Sequence, residues 1–427
     1  MQRNNNIIKS LGLQDLPKKY KVSFLGYDKK LNKVVINIRT SRTSVRCPKC
    51  GKVINTYKDH KHKIIKHLDI CNNKSIIEFS YARYYCKECN TSVIEDISDL
   101  VEKYYRYSNS VINSLLDKMS ICRDSIKAIA QRENVSCRLV NRLFFKNVYI
   151  KKINDITWLP QNIGMDEFKG NMKVLVEDSN GVIKRVKSKY QVQITDLDTG
   201  KVIALLPFKE TKTIKAFLNT ITNKSEVRNV VIDFCMQFKR QLNKAFKNAK
   251  ISSEYFHLTK LVTTAVDNNR LDIWRKITKD KDKKEERKYL KSLKHCILTD
   301  INRENLDKNK KDKITSRLNK AFEYAPELKE AYNKLQEFYN IKRYSTNDER
   351  YQKFKEWFNS IDIKQMPEFK SLRRTVHSWY KYIKNMFYSN LSNGKTEGNN
   401  NSIKVLKRNS YGFCNFENAK NRILSCI

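Results

Sequence analysis

Glycine and proline are scarce in this sequence, with 10 and 6 occurrences among 427 residues. Flexible linkers are usually rich in glycine, serine or proline, so the composition marks no boundary between domains. The length nevertheless suffices for two or three domains of ~100–200 residues, each with its own buried core. Domain boundaries therefore have to be inferred from changes in residue pattern along the chain.

Long apolar runs are also missing. No stretch of the sequence approaches the ~18 apolar residues that a membrane-spanning helix needs. The N-terminal sequence MQRNNNIIKSLGLQD lacks the apolar segment of a secretory signal peptide. We therefore expect a soluble, cytoplasmic protein that has no membrane partner.

Acidic residues are few compared with basic ones. The chain has 45 aspartates and glutamates against 86 lysines and arginines, which gives a net charge of +41. A surplus of this size produces a positive field that attracts polyanions. No basic amphipathic helix indicates binding to a lipid surface, so nucleic acid is favoured over an anionic membrane as the partner.

Cysteine, by contrast, is well represented, with 11 residues. In a reducing compartment these are more typical of metal ligands or buried thiols than of disulfides. Two pairs have the spacing of a zinc knuckle, namely CPKC (Cys47, Cys50) and CKEC (Cys86, Cys89). Four thiolates on one Zn²⁺ leave no open coordination position, so the pairs predict a structural zinc site.

The two cysteine pairs are further apart than the ~15–20 residues of a compact zinc motif. A β-structured excursion that carries His60, His62 and His67 must therefore lie between them. Cys71, within that excursion, is expected to be a spare thiol. Two unrelated cysteine pairs remain the alternative interpretation.

A helical middle region contains SIKAIAQRENVSCRLVNRLFF (residues 125–145), which predicts two short helices separated by ENVS. Ser136 can cap the second helix. This is the layout of a helix-turn-helix, whose second helix would present Arg138, Asn141 and Arg142 to the major groove of DNA. Packing of two amphipathic helices without any DNA contact is the alternative.

Two aspartates follow strand-like runs. NIGMDEF predicts a short strand with Asp166 near its end, and VRNVVIDF predicts a buried strand that ends at Asp233. Between them KYQVQITDLDTG and KVIALLPF alternate like antiparallel strands, and a further predicted strand, AKISSEYFH, leads to His257. With the helices between these runs, the series suits a mixed sheet flanked by helices, as in the ribonuclease H-like fold.

A third acid lies in NGKTEGNNNSIKVLKRNSYGF, among amides and cations. A helix that begins near Thr396 places Glu397, Asn400, Asn401 and Lys404 on one face. A carboxylate on this face is explained if it binds a divalent metal while the amides and lysines hold a phosphate backbone. With the two aspartates it would form a site for two Mg²⁺ ions ~3.5–4 Å apart. Attraction of the carboxylate to the helix N-terminus is the alternative.

Five motifs occur in the order GMDEFKG, VVIDF before a helix, EYFHLTK, TEGNNNSIKVLKRNSYGF and NFENAKNRIL. Together they resemble the DDE transposases of bacterial insertion sequences, in the ISL-three group with an N-terminal four-cysteine zinc finger. The resemblance runs from Cys47 nearly to the C-terminus and is most specific around Glu397. It implies a catalytic triad of Asp166, Asp233 and Glu397 with Mg²⁺, or alternatively Mn²⁺, as the cofactor.

The same resemblance implies roles for further residues and partners. The finger falls on the four cysteines of the two knuckles. Lys404, Lys407 and Arg408 would grip backbone phosphates. Glu167 is a candidate accessory residue. His257, which follows the last predicted core strand, is either a packed, hydrogen-bonded histidine or an accessory residue that contacts DNA or the active-site acids. The expected partner is double-stranded DNA, as transposon ends and target, bound by a homodimer or larger assembly near the bacterial nucleoid.

The sequence departs from the family pattern in three places. Residues 171–188 look like an extra hairpin between the first two core strands, and residues 418–420 differ from an aromatic-containing pattern. Glu254 stands where the family usually has an aspartate. None of these departures touches the three predicted catalytic acids, so they do not exclude activity.

These patterns predict an α+β multidomain protein. The predicted domains are a zinc-binding domain with a β-rich finger (1–100), a helix-turn-helix (101–155), the first part of a ribonuclease H-like core (156–259), a large all-α insertion (260–385) and the last part of the core (386–427).

Three functions fit the sequence. The first is a transposase that cleaves DNA at terminal inverted repeats and joins the freed 3′-hydroxyl to target DNA. The second is an inactive DNA-binding regulator or domesticated remnant, which would use only the N-terminal modules. The third is a structure-selective nuclease with the same core, which would cut DNA without joining it.

Overall fold

The computed structural model describes residues 20–41, 44–121, 124–150, 156–278 and 283–427. The N-terminal stretch that was compared with a signal peptide lies outside these residues, as do residues 151–155 at the end of the predicted helix-turn-helix domain. The described chain is a mixed α+β protein that divides into two compact units at residues 151–152. None of its described helices combines the length and the apolar character needed to cross a membrane.

The first unit is rich in β-structure. Its described elements are β1 (Tyr20–Asp28), β2 (Lys33–Thr40), β3 (Val45–Arg46), β4 (Val53–Ile54), β5 (Tyr57–Ile70), β6 (Asn73–Cys86), β7 (Thr91–Ile94), α1 (Asn109–Ser120), α2 (Ile126–Arg132) and α3 (Cys137–Ile150). One sheet has the order β1-β2-β6-β5, and β7 also pairs with β6. Alternate residues of these strands, such as Ile36, Ile38, Ile77 and Phe79, point to one buried face.

Strands β5 and β6 form the excursion that the sequence predicts between the two cysteine pairs. They pair antiparallel along most of their length and are joined at Cys71 and Asn72, whose φ angles are 47° and 64°. Two consecutive left-handed residues match the tight turn that the twist of a hairpin favours. The cysteine pairs are therefore separated in sequence by a hairpin but can meet at its open end.

Helices α2 and α3 match the two helices predicted around ENVS. The Ser125 hydroxyl accepts a hydrogen bond from the backbone N–H of Ala128 (3.1 Å), and the Ser136 hydroxyl accepts one from Leu139 (3.2 Å). Each serine thus caps the helix that follows it, as the sequence indicates for Ser136. The apolar side of α3 is buried at Leu139 and Val140.

The second unit contains a five-stranded sheet and eleven described α-helices. The elements are β8 (Asn162–Glu177), β9 (Ile183–Asp196), β10 (Val202–Leu206), α4 (Thr211–Thr220), β11 (Asn229–Ile232), α5 (Met236–Ala245), β12 (Lys250–Ser253), α6 (Tyr255–Thr278), α7 (Lys284–Ser292), α8 (Lys294–Ile297), α9 (Lys308–Tyr324), α10 (Glu327–Ile341), α11 (Asn347–Asn359), α12 (Lys370–Phe387), α13 (Gly394–Asn409) and α14 (Phe416–Cys426). The sheet order is β10-β9-β8-β11-β12. Pairing is antiparallel from β10 to β8 and parallel from β8 to β12.

Two strands differ from the sequence-based prediction. The short strand predicted around Asp166 is the start of the 16-residue strand β8. Residues 171–188, which the sequence analysis describes as an extra hairpin, form the outer end of the β8–β9 hairpin, because they continue both strands outward as one ladder. The predicted strand AKISSEYFH ends at Ser253, and His257 lies in the first turn of α6.

One apolar core joins the sheet to the helices that follow it. It includes Ile163 and Ile232 from the strands, Phe238 from α5, Phe338 from α10 and Trp379 from α12. Because these residues form one continuous cluster, the sheet and the helices between β12 and α13 are packed as one body. The chain segments before and after this helical region can therefore return to the same sheet.

Helix α13 contacts the sheet at Gly164 of β8. A Cβ built on this glycine would lie 2.4 Å from both Asn393 Oδ1 and Thr396 Oγ1. Asn393 and Thr396 have no exposed surface. The missing side chain therefore allows the first turn of α13 to pack directly on the strand. Ile403 and Leu406, further along the helix, are buried in the interior.

The substitution Gly164→Ala should destabilise the protein by about 1–3 kcal/mol, because the added methyl group overpacks the contact between β8 and α13. Gly398→Ala is the matched control. A Cβ at Gly398 meets nothing within 4 Å, so alanine should stabilise α13 by about 0.5–1 kcal/mol. Urea unfolding of both variants measures the difference, and equal stabilities would contradict the close packing at Gly164.

Candidate active site and zinc site

The four predicted zinc ligands come together in the first unit. Their sulphur atoms all lie within 4.8 Å of one another. Cys47 and Cys50 lie between β3 and β4, whereas Cys86 ends β6 and Cys89 precedes β7. The separation in the sequence is bridged by the β5–β6 hairpin, which returns the chain to the first pair.

Each cysteine pair is followed by a residue with a left-handed backbone. Gly51 has a φ of 75° and Asn90 a φ of 48°. This conformation turns the chain back, and the backbone N–H of Gly51 donates to the carbonyl of Cys47 (2.9 Å). The same turn at both pairs points the cysteines of each pair toward a common centre.

The electrostatics of the four thiols favour a bound cation. A backbone hydrogen bond from Cys50 lowers the pKa of Cys47 to about 6. A hydrogen bond with the sulphur of Cys50, together with burial, raises the pKa of Cys89 to about 12. Once one thiol is ionised, its neighbours are harder to deprotonate. A bound Zn²⁺ would offset this electrostatic cost, because its positive charge stabilises all four cysteines as thiolates. The donor set therefore fits zinc.

None of the three histidines of the excursion belongs to this group of ligands. His67 is buried, and its Nδ1 lies 2.9 Å from the hydroxyl of Ser108. His60 contacts the ring of Tyr57. Cys71 is exposed, in agreement with its assignment as a spare thiol.

In the second unit, strand register places two of the predicted acids side by side. Ile232 of β11 pairs in parallel with Met165 of β8. The next residues on the two strands are Asp233 and Asp166, so their carboxyl groups meet at the same edge of the sheet. The hydrogen bond between the two carboxyls is one cause of the perturbed pKa of each.

The third acid, Glu397, lies in the first turn of α13. The charges of Asp166 and Glu397 both contribute to raising the pKa of Asp233. Burial, followed by the charge of Glu254, raises the pKa of Glu397. The three acids predicted from sequence therefore lie close enough to interact, although they come from two strands and a helix.

Burial and mutual repulsion dominate the electrostatics of these acids. Burial raises the pKa of Asp166. Burial, followed by the charge of Asp166, raises the pKa of Asp233 to about 9. Oδ1 of Asp233 is buried without a hydrogen-bond partner. Carboxylate oxygens are the hard ligands that Mg²⁺ prefers. A bound cation would also offset the repulsion between the carboxylates, so these residues fit a divalent cation.

A network of amides holds Asp166. Oδ1 of Asp166 accepts from the backbone N–H of Glu167 (2.7 Å), and Oδ2 accepts from the side-chain amide of Asn400. Gln193, the cross-strand partner of Asp166 on β9, donates to Asn400 Oδ1 (2.8 Å) and to the carbonyl of Thr396 (2.7 Å). These bonds tie α13 to the strand that carries the aspartate.

Two further residues, His257 and Glu254, lie at the site, although the sequence analysis did not assign either as catalytic. His257 lies between two carboxylates, with Nε2 3.1 Å from Asp233 Oδ2 and Nδ1 2.9 Å from Glu254 Oε2. Asp233, Glu254 and His257 offer ligand atoms within 4.8 Å of one another. The sequence carried a signal for Glu254, because it directly follows β12, which is parallel to β11 and ends at the same edge of the sheet.

The predicted DNA-binding residues lie in different surroundings. On α3, Arg138 and Arg142 are exposed and Asn141 is half-buried. Arg142 stacks on the ring of Tyr105, 5.1 Å from its centroid. The guanidinium groups of this helix are therefore open to solvent on the side opposite Val140, which is fully buried.

On α13, the exposed residues are Asn401, Lys404 and Arg408. Lys407 is half-buried, and its ammonium group donates to the carbonyl of Gly170. Asn400 is buried and its amide is engaged by Asp166 and Gln193, which differs from the solvent-facing position that the sequence predicts. Consecutive side chains on a helix point about 100° apart around its axis. Asn400 therefore faces the interior, whereas its neighbour Asn401 faces solvent.

The remaining accessory candidate is Glu167. Its carboxylate forms an ion pair with Lys209 (3.0 Å). Both line a cleft of about 600 Å³ that also includes Asp233, His257 and Lys260. The site is therefore open to solvent on one side and bordered there by two lysines.

Comparison with known proteins assigns the chain to a family. A transposase family model, that of the ISL-three group of DDE transposases, matches residues 178–423, more than half of the chain. The chain belongs to this transposase family. A second model, described as the zinc-finger of transposase IS204/IS1001/IS1096/IS1165, matches residues 43–89 and so contains all four cysteines. Asp233 and Glu397 lie inside the first match, whereas Asp166 precedes it.

Two relatives differ in how much of the chain they cover. The transposase for insertion sequence element IS1001 from Bordetella parapertussis is 19% identical over 385 residues, which cover 88% of this chain and 87% of that protein. A protein named ATP-dependent protease from Lactococcus lactis subsp. lactis is 32% identical over 145 residues. That similarity covers 34% of this chain and 39% of the relative, so it does not describe the chain as a whole.

Replacement of Cys89 by serine should abolish stoichiometric zinc binding and destabilise the first unit, because three thiolates remain where four meet. Cys71→Ser is the matched control, since Cys71 is exposed and outside the group. Atomic absorption should find one zinc per chain in the control and less than one in the Cys89 variant. Equal zinc contents would contradict the assignment.

Replacement of Asp233 by asparagine should stabilise the protein in buffer without added magnesium. The folded-state pKa of about 9 exceeds the ordinary value of 3.8, so the folded protein holds a proton that the unfolded chain releases. The wild-type free energy of unfolding should therefore fall as pH rises from about 4 to about 9. The neutral amide removes this loss, and the gap between variant and wild type should widen from pH 5 to pH 8.

Calorimetric Tm values at the two pH values test this expectation, with the exposed Asp312→Asn as the control. Added Mg²⁺ should raise the Tm of wild type, because it binds the folded state, but not that of the Asp233 variant. A constant difference between variant and wild type across pH would show that Asp233 is ionised in the folded protein.

Proposed function

We propose that this transposase cleaves DNA at the terminal inverted repeats of an insertion sequence and joins the freed 3′-hydroxyl ends to target DNA. The observation that carries the proposal is the parallel register that sets Asp166 beside Asp233, with Glu397 near enough for its charge to raise the pKa of Asp233. Asp166 is buried and Asp233 and Glu397 are half-buried, and three acids this close together are costly unless a cation binds there.

The sheet order supports a ribonuclease H-like core. Three antiparallel strands, β10-β9-β8, are followed by two parallel strands, β11 and β12. In this proposal residues 156–259 and 386–427 form the core, and residues 260–385 form a helical insertion. The insertion explains how Glu397 can be remote from Asp233 in sequence and close to it in space.

Asp166, Asp233 and Glu397 would hold the metal ions, and neighbouring side chains would orient them. The amide of Asn400 fixes Asp166, and His257 connects Asp233 to Glu254. Two Mg²⁺ ions, when bound, would activate the attacking oxygen and stabilise the leaving one. Because carboxylates bound to metal need no covalent protein intermediate, no serine or tyrosine nucleophile is required.

DNA binding is assigned to both units. The capped pair α2 and α3, with Arg138 and Arg142 exposed, supports a helix-turn-helix whose second helix enters the major groove. Asn401, Lys404 and Arg408 on α13 would contact backbone phosphates close to Glu397. Joining two DNA ends requires both to be held at once, so we propose a homodimer or larger assembly on DNA in the cytoplasm.

The substitutions Asp166→Asn, Asp233→Asn and Glu397→Gln should each lower Mg²⁺-dependent strand cleavage by about 10²–10³-fold or more, because each removes a charge that would bind metal. DNA binding should remain, since none of the three side chains is basic. The substrate is a duplex containing the end sequences that flank the coding DNA, and products are resolved on a denaturing gel.

Asp312→Asn, an exposed change of the same chemistry, should cleave like wild type. A second assay with pre-cleaved ends and a target plasmid separates a transposase from a nuclease that cannot join. Cleavage that persists in all three variants would overturn the proposed triad. Binding without any metal-dependent cleavage by wild type would favour a DNA-binding regulator instead.

A further inference from the structure

The outer part of the β8–β9 ladder (residues 171–188, the outer hairpin) extends beyond the strands that carry the site. A register shift separates it from the inner ladder, where Asn171 adopts a left-handed φ of 52°. Beyond this bulge the two strands pair without a break from Met172–Ser188 to Glu177–Ile183. A bulge re-aims a ribbon while keeping it paired.

The outer hairpin is an ordered structure and not a loop. At its tip, Asp178 Oδ1 accepts from the backbone N–H groups of Asn180 and Val182, both at 3.0 Å. At its base, the backbone N–H of Lys173 donates to the carbonyl of Cys414 (2.9 Å). Lys407 of α13 also donates to the carbonyl of Gly170. The ribbon is therefore closed at one end and fixed to the core at the other.

The two faces of the ribbon differ in burial. Directly paired residues point to the same face of a ladder. One face is buried at its base, at Met172, Val174 and Ser188, and becomes exposed toward the tip, at Lys184 and Val186. The other, which we call the basic face, contains Lys173, Leu175, Glu177, Ile183, Arg185 and Lys187. All six residues of the basic face are exposed.

The basic face places like charges against each other. Lys173 pairs directly with Lys187, and Arg185, two residues earlier on β9, pairs with Leu175. Among the described residues, no ion pair neutralises any of these three cations. Like charges directly opposite each other destabilise a ladder, and an anion bound over the face would relieve this repulsion.

Acidic residues of the hairpin do not provide that anion. Asp178 is used in the turn, and its carboxylate pairs with Lys184 (2.7 Å), which lies on the opposite face. Glu177 is at the tip of the ribbon, opposite Ile183. The centre of the basic face therefore contains three cations and no carboxylate.

We propose that the basic face binds the sugar-phosphate backbone of duplex DNA beside the cleavage site. This rests on the proposed function for the nature of the partner. A two-stranded ribbon fits the major groove, which is about 12 Å wide, and Lys173, Arg185 and Lys187 then reach phosphates of its walls. Leu175 and Ile183, which are 53% and 67% exposed, face the base edges, where apolar side chains contact thymine methyl groups.

The position of the hairpin sets the stretch of DNA that it contacts. Asp166 and Leu175 lie on the same strand, nine residues apart in sequence, which spans about 30 Å at ~3.3 Å per residue. At ~3.4 Å per base pair this corresponds to roughly nine base pairs. The contacts therefore fall within about one helical turn of the phosphate that the carboxylates would cleave.

The test compares two triple variants of the full chain. K173A/R185A/K187A removes the cations of the basic face. K308A/K310A/K313A removes three exposed lysines at the start of α9 and serves as the control with the same loss of charge. Binding to a 40-base-pair duplex without magnesium is measured by fluorescence anisotropy at several salt concentrations.

The basic-face variant should bind at least about tenfold more weakly than wild type at 100 mM salt. The slope of log affinity against log salt should fall by about 2–3, since each lost phosphate contact contributes about 0.9. The control should change the slope by less than about 1. On a duplex that ends within about five base pairs of the cleavage site on the hairpin side, the basic-face variant and wild type should have the same affinity and the same salt slope.

The variant K173R/R185K/K187R alters the same three positions but keeps their charges. It should bind DNA like wild type, which would show that the weaker binding of the basic-face variant comes from the lost charges and not from misfolding. Equal weakening in the basic-face variant and the control would mean that only net charge matters, and the proposal would be wrong. Unchanged DNA binding with a lost dimer in sedimentation would assign the face to a second copy of the chain. Failure of wild type to bind any duplex would instead refute the proposed function.

Discussion

The parallel register between β8 and β11 is the constraint on which the candidate active site depends. Because Met165 is paired with Ile232, the aspartates that follow them reach the same edge of the sheet. A shift of β11 by one residue would turn its side chains to the other face of the sheet and separate the two carboxyls. The apolar residues of β11 fix this register, since Val230 and Ile232 are fully buried.

Placing carboxylates side by side has an electrostatic cost, and hydrogen bonds from the surrounding residues reduce it. Asp166 is held by the amide of Asn400, and Asp233 by His257, whose other nitrogen faces Glu254. These contacts orient the acids, but burial and repulsion still raise the pKa of Asp233 to about 9. A site that is electrostatically unfavourable when empty is organised in advance for a divalent cation, because binding replaces repulsion by attraction.

Local patterns in the sequence predicted local structure well, and residue types predicted that the four cysteines and the three acids come together. The end of one strand and the orientation of one amide were not predicted, because both depend on tertiary packing. Both helices around Ser136 and the buried strand before Asp233 follow from periodicity and capping. The β-structured excursion between the cysteine pairs follows from their spacing. The end of β12 was misplaced because SSEYFH has the aromatic residues of a strand, although tertiary packing places Tyr255 in a helix. Helical spacing alone could not decide which amide of the Glu397 face turns inward, since that depends on how closely α13 approaches Gly164.

Strand β8 links the candidate active site, helix α13 and the outer hairpin. It carries Asp166, receives the first turn of α13 at Gly164, and continues outward as one side of the outer hairpin. Lys407 of α13 and the backbone of Cys414 both bond to this strand near the bulge. The hairpin is therefore bonded to the strand and the helix that position Asp166 and Glu397. If the basic face binds DNA as proposed, a ribbon attached in this way would align the DNA with the carboxylates, whereas a flexible loop at the same point would only increase affinity.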